Sequence, residues 1–206
     1  MAYEQAVREA LPEIEEIEDE ELREKVVKIW ADAVDNTDFD GPEDLPWSST
    51  FIPVVGEDET QVGHIRECTQ LVIAFADVVA KTRPELEINR DYLIAGTLLH
   101  DISKFYEISP EEGGDRKTKL AKHLSHPHYG IHLLAEEDLP IELLNMVAAH
   151  TENTKVEPKT VEAKILESID LLITDCVLHQ NSGQFKWEVI DREPVYINKG
   201  SSESPS

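Results

Sequence analysis

Between residues 20 and 35 the chain reads EELREKVVKIWADAVD, and Leu22, Val26, Ile29, Trp30, Ala33 and Val34 recur at three- and four-residue intervals. That period places them on one face of an amphipathic helix. A shorter helix before it should stop near Pro12, because proline breaks the helical hydrogen-bond ladder. The pattern returns from Val62 to Lys81, with Ile65, Cys68, Val72, Phe75, Ala76 and Val79 on the buried side and Pro84 closing it. Further helices are predicted from Asp91 to Phe105, from His126 to about Glu137, and from Pro140 to His150. Proline in a first turn is tolerated, which suits His126-Pro127 as a helix start. Residues 160–179 form the last long helix, with Val161, Ile165, Leu166, Ile169, Leu172, Ile173, Cys176 and Val177 inward.

The intervening segments have turn chemistry. NTDFDGPEDLPWSSTFIPVVGEDETQ carries several turn-forming clusters and reads as a long irregular connection. EEGGDRKTKLAKHLSH reads as loop leading into a helix. In QFKWEVIDREPVYIN, Phe185, Trp187 and Val189 alternate before a turn at DREP, which predicts a small hairpin. KGSSESPS has the composition of a disordered tail. There are no internal repeats. The expected fold class is therefore all-α. It comprises an acidic N-terminal helical extension (1–46), a main helical domain (47–180), a C-terminal β-hairpin (181–198) and a disordered tail (199–206).

Charge narrows the function classes. The 206 residues hold 43 Asp and Glu against 19 Lys and Arg, a formal charge of −24. A duplex nucleic acid calls for a basic face, so that partner is excluded. Residues 1–45 alone carry 16 acidic and 4 basic side chains. Such an excess solvates a surface and suits either high salt or an ordinary acidic cytosolic protein. Cys68 and Cys176 are too few for a disulfide framework or a thiolate metal site, and both read as small core residues. The N-terminus lacks a signal pattern and no run reaches membrane-spanning length, so a soluble, cytoplasmic protein without a membrane partner is expected.

Candidate chemistry begins at GTLLHDISKF, where an apolar run ends in His100 and Asp101. Buried polar groups of this kind need compensation. His64 lies near the start of one predicted helix, His126 opens another, His150 closes a third, and Asp170 lies inside the last. Successive members are about one helix plus a loop apart, so helices around one core can bring all six together. Asp170 is four residues beyond Leu166 and three before Ile173, on the buried face. A carboxylate there needs a cation or several donors. Imidazole nitrogens with carboxylate oxygens suit zinc, iron, manganese or nickel better than calcium.

The order His, His-Asp, His, His, Asp resembles the HD-domain superfamily of metal-dependent phosphohydrolases over roughly residues 60–180. LLHDISK is similar to its His-Asp-x-x-Lys helix end, HPHYG to its His-Pro-x-x-Gly, AAHT to the later His position and ESIDLL to the terminal Asp. The resemblance implies a first metal on His64, His100, Asp101 and Asp170. It also implies a second on His126 and His150, bridged by Asp101, as in the two-metal branches. One or two divalent ions are thus expected, from manganese, iron, nickel, zinc or magnesium. Two ions about 3.5–4 Å apart fit phosphoester or phosphoanhydride hydrolysis by an activated water. Ser103 stands where the family usually has Gly, and the Gly-Tyr-Pro signature of the cyclic-di-GMP branch is absent.

Asp101 and Lys104 are the candidate catalytic residues. Lys104, one turn beyond His100, is either a phosphate contact or a solvated lysine. Arg116, Lys117, Lys119 and Lys122 form a basic approach to His126, either contacting distal phosphates or simply solvated, and His123 either contacts phosphate or faces solvent. His128 lines the site, or takes metal in place of His126 if the helix begins later, though the His-Pro-x-x-Gly match favours His126. Asp175 is the rival to Asp170, while Glu67, Asp77, His132 and His179 read as surface. The expected substrate is a small phosphorylated molecule, by resemblance a nucleotide. The alternatives are a regulatory or ligand-binding module without turnover, or chemistry on a non-phosphate substrate. The N-terminal helices can pack on the core or on a second subunit, which would make a homo-oligomer.

Overall fold

The computed structural model describes residues 3–48, 52–56, 58–110, 117–151 and 154–189. Ten helices occur among them: α1 (Glu4–Ala10), α2 (Glu20–Asp35), α3 (Ile52–Val55), α4 (Gln61–Thr82), α5 (Arg90–Leu99), α6 (Lys104–Glu107), α7 (His126–Glu136), α8 (Ile141–Ala149), α9 (Val161–Ser182) and α10 (Lys186–Val189). Two isolated β-bridges, Pro46 with Thr60 and Ile108 with Lys117, are the extended pairings among the described residues. No helix there is long and apolar enough to cross a membrane.

Helix starts follow local chemistry. The side chains of Asp19, Thr60, Asn89 and Thr160 each accept a backbone N–H from the first turn of α2, α4, α5 and α9 respectively. α9 ends where Gly183 takes the left-handed conformation, φ 72°.

α5 runs through the middle. Leu93, Ile94, Ala95, Leu98 and Leu99 are fully buried, and α5 packs on α2, α4, α8 and α9. The acidic N-terminal segment packs on this same core, through Leu11, Ile14 and Ile17 between α1 and α2 and through Trp30 of α2. Trp30 donates its indole N–H to the Leu98 carbonyl at 2.9 Å and meets Phe105 edge-on at 5.6 Å. The Asp91 carboxylate accepts the backbone N–H groups of Glu18 and Asp19, both at 2.9 Å. Glu13, itself buried, pairs with Arg66 and Gln70 of α4.

Several expectations are corrected. The hairpin begins instead as helix α10, which carries Trp187; its second arm and the tail lie outside the described residues. The helix expected from Asp91 to Phe105 stops at Leu99, and a tight turn through His100–Ser103 precedes α6. Residues 118–124 form turns that lead into α7, in keeping with the loop expected there. The long connection contains a single-turn 3-10 helix, Pro42–Asp44, and α3. Phe75, Val161 and Leu172 are exposed rather than inward, as is Cys176.

Candidate metal centre

The turn after α5 is where the site starts. His100 caps α5, and its Nδ1–H donates to the Thr97 carbonyl at 2.7 Å. A carbonyl only accepts, so the proton is on Nδ1 and Nε2 presents a lone pair. His150 at the end of α8 repeats the device, with Nδ1–H donating to the Val147 carbonyl at 2.7 Å. Two helix ends thus aim two imidazole lone pairs at one place, and the rings lie 4.9 Å apart. His64 arrives from the first turn of α4, His126 from the first residue of α7, and Asp170 from the middle of α9.

Asp101 lies between them. Its Oδ2 is 3.3 Å from His100 Nε2 and 3.8 Å from His64 Nε2. Its Oδ1 faces the other way, 3.5 Å from His126 Nε2 and 3.6 Å from His150 Nε2. Asp170 Oδ1 is 3.0 Å from His64 Nε2 and 3.8 Å from His100 Nε2. The ligand atoms of His64, His100 and Asp101 lie within 4.8 Å of one another, as do those of Asp101, His126 and His150, and of His100, His150 and Asp170. All six expected residues therefore converge, and one carboxylate divides its two oxygens between two imidazole groups.

This arrangement fits a cation. His100 Nε2 and Asp101 Oδ1 are buried without a hydrogen-bond partner, which is costly unless something else compensates them. His126 Nε2 and His150 Nε2 stand 2.9 Å apart. Since the His150 proton is on Nδ1, its Nε2 can only accept, and a cation removes the need for a proton between the two rings. Nitrogen and carboxylate donors in these numbers match divalent transition metals.

Electrostatics follow from burial and from close charges. Burial pushes the His64 and His126 imidazoles down, His126 to about 3. Burial opposes charge on His100 too, but the Asp101 carboxylate, with Asp170 and the Thr97 carbonyl, together outweigh it and the net shift is upward. Asp101 and Asp170 are held well below the usual carboxylate range. Burial works against this, but Lys104 and His100 at Asp101, and the imidazoles at Asp170, prevail.

Lys104 Nζ donates to Asp101 Oδ2 at 2.6 Å and to the Trp47 carbonyl at 3.1 Å. Trp47 is buried with its ring 5.4 Å from that of His64. Ser103 is fully buried and donates to the His126 carbonyl at 2.7 Å, which ties the α5–α6 turn to the start of α7. The glycine of HPHYG is also explained. A Cβ on Gly130 would come 2.8 Å from Val147 Cγ1, so glycine lets α7 approach α8 closely enough for His126 to meet His150.

Other candidates fall elsewhere. Lys119, Lys122, His123 and His128 are exposed at or just before the start of α7, with His123 Nδ1 turned to the Lys119 carbonyl and His128 Nδ1 to Ser125 Oγ. Arg116 lies outside the described residues. Asp175 accepts the Lys186 N–H at 2.7 Å, away from the centre. Glu67, Asp77, His132 and His179 are exposed, as expected. Cys68 is buried, with Sγ 3.9 and 3.8 Å from the two ring nitrogens of His64. That near-equal spacing puts the sulfur over the ring rather than along a lone pair, so it packs against the imidazole. Gln61, which the sequence did not single out, is fully buried and donates Nε2–H to Asp101 Oδ2 at 3.0 Å. Its only sequence signal is a polar residue three before His64, on the same helix face.

Comparison with known proteins follows the same segment. The dihydroneopterin 2′,3′-cyclic phosphate phosphodiesterase of Methanocaldococcus jannaschii is 30% identical over 166 residues, covering 76% of this chain. The match spans 64% of that relative's length. No solved structure matches the chain significantly. The HD domain family model matches residues 62–175, the segment that carries all six convergent side chains. The chain belongs to the HD domain family.

Proposed function

We propose that this protein is a metal-dependent phosphohydrolase that cleaves a phosphoester or phosphoanhydride of a small phosphorylated molecule. The observation that carries the reading is the division of Asp101, with one oxygen toward His64 and His100 and the other toward His126 and His150. His64, His100, Asp101 and Asp170 would hold one ion, and His126 and His150 a second shared through Asp101. Divalent metal bound there supplies a nucleophilic water at neutral pH and positive charge for the phosphoryl oxygens. Manganese, iron, nickel, zinc and magnesium are the ions to test.

The chain's own groups do the rest. The Nδ1–H bonds of His100 and His150 fix ring direction, so the ligands need no reorganisation. Lys104, held between Asp101 and the Trp47 carbonyl, places an ammonium beside the ligands, where it can contact a phosphoryl oxygen. The basic turn of Lys119, Lys122, His123 and His128, with Arg116, would draw an anion toward His126 against the strongly negative remainder. In hydrolysis a water oxygen bonds to phosphorus, a P–O ester bond breaks, and the leaving oxygen takes up a proton.

The substrate we infer is nucleotide-like, a heterocycle joined to a phosphorylated polyol. The name of the M. jannaschii relative supports including 2′,3′-cyclic phosphodiesters beside linear nucleotides. The test is product formation from such a panel with each metal, before and after chelation. Asp101→Ala should abolish turnover and strip metal, while Lys104→Ala should lower turnover with metal retained. A metal-loaded protein inactive on the whole panel would favour a regulatory module. Full metal content in Asp101→Ala would refute the shared carboxylate.

A further inference from the structure

We propose that Gln61 is a positioning residue for the metal centre: its amide N–H fixes the Asp101 carboxylate so that Oδ1 stays aimed at His126 and His150. The inference rests on the two-ion reading above and extends it to a residue outside the ligand set.

Gln61 is the first residue of α4 and is fully buried. Its backbone is anchored, since its N–H donates to the Leu45 carbonyl at 2.8 Å and the preceding Thr60 bridges to Pro46. From that fixed point Nε2 reaches Asp101 Oδ2 at 3.0 Å. The amide orientation is dictated by chemistry, because an ionised carboxylate accepts and never donates. The other end of the amide has no such reward. Oε1 is buried without a hydrogen-bond partner. A buried acceptor left unfilled is a cost, and an apolar side chain of the same length would avoid it. The orientation therefore serves the N–H rather than the carbonyl.

The second donor on Oδ2 is Lys104 Nζ at 2.6 Å. Gln61 and Lys104 together set the plane of the carboxylate, and the plane decides where Oδ1 points. Lys104 alone fixes that plane less firmly, because its ammonium, though also bonded to the Trp47 carbonyl at 3.1 Å, sits on a flexible four-carbon stem. The amide of Gln61, on an anchored helix end, does not. Loss of Gln61 should thus weaken the ion at His126 and His150, which depends on Oδ1. The ion at His64, His100 and Asp170 keeps three other ligands and should be affected little.

Gln61→Met keeps length and volume while removing the donor. Mn2+ alone is titrated into chelator-stripped wild-type protein and variant, and the two dissociation constants are read separately, with thermal unfolding of the metal-free forms recorded in parallel. The expected result is a second-ion affinity lowered roughly 10- to 100-fold, in the range of outer-shell partners, with the first within about threefold. A merely structural role would lower the unfolding temperature and leave both constants unchanged, which overturns the proposal. Equal weakening of both ions overturns it as well. If wild-type protein binds a single Mn2+, the two-ion reading falls and this inference falls with it. Two ions in wild type with unchanged binding in the variant sinks the inference alone. Should Gln61→Met fail to fold, Gln61→Asn retains a buried amide too short to reach Asp101 and is expected to show the same selective loss.

Discussion

Glu107, on α6 just beyond Lys104, gives the sharpest test of the electrostatics around the centre. Burial pushes its carboxyl up from 4.5 to about 7, and the negative Asp101 adds to this while Lys104 opposes. Ser103 Oγ, 3.4 Å away, is a poor compensating donor. A group whose folded pKa lies above its unfolded value binds its proton more tightly in the folded state. Stability therefore falls as pH rises from 4.5 through 7, and the full penalty is present above 7. At about 1.4 kcal/mol per pKa unit the ceiling is about 3 kcal/mol, and partial solvent access reduces it to roughly 1–2 kcal/mol. Glu107→Gln keeps the shape and removes the charge. The variant should be more stable than wild type by roughly 1–2 kcal/mol at pH 8, with the gain vanishing near pH 4.5. Urea unfolding of chelator-stripped protein at the two pH values measures this directly. An equal gain at both, or a variant less stable at pH 8, would refute the assignment of the cost to an ionised buried carboxylate.

Gly130→Ala places a methyl 2.8 Å from the branched Val147 side chain. It should destabilise by about 1–3 kcal/mol, and by parting α7 from α8 it should weaken metal binding at His126 and His150; unchanged thermal unfolding would discount the close approach. Ser103→Ala removes the 2.7 Å bond to the His126 carbonyl and should cost about 1–2 kcal/mol. Calorimetry would show this, and Ser103→Gly, the family's usual residue, should lose the same bond.

Which parts of this were legible in the sequence depends on periodicity. α2 was readable because its apolar face is complete, and Asp170 because it interrupts such a face. The break after Leu99 was not. Ile102 and Phe105 continue the apolar period through the turn, which stays tight by bonds from Ile102 N–H to Leu99 and from Lys104 N–H to Asp101 carbonyls. Period alone cannot distinguish that turn from another turn of α-helix. Leu172 and Cys176 misled for a different reason. An apolar stripe says which face could be buried, whereas burial depends on whether a neighbour is long enough to cover it. Gln61 is not legible because the apolar period of the helix begins one residue later, at Val62. The convergence of the six polar side chains was legible because each sits at a helix end or on a buried face. Their exact partners, such as the Thr97 and Val147 carbonyls, required the fold.

The two imidazoles facing each other across 2.9 Å carry a consequence for selectivity between cations. The smallest cation that could sit between His126 and His150 is a proton, and burial holds the His126 pKa to about 3. A proton is thus a feeble competitor at His126 even in mildly acidic solution. A doubly charged ion interacts about twice as strongly as a singly charged one with the Asp101 oxygen that faces both rings, so it is this carboxylate that favours the divalent cation.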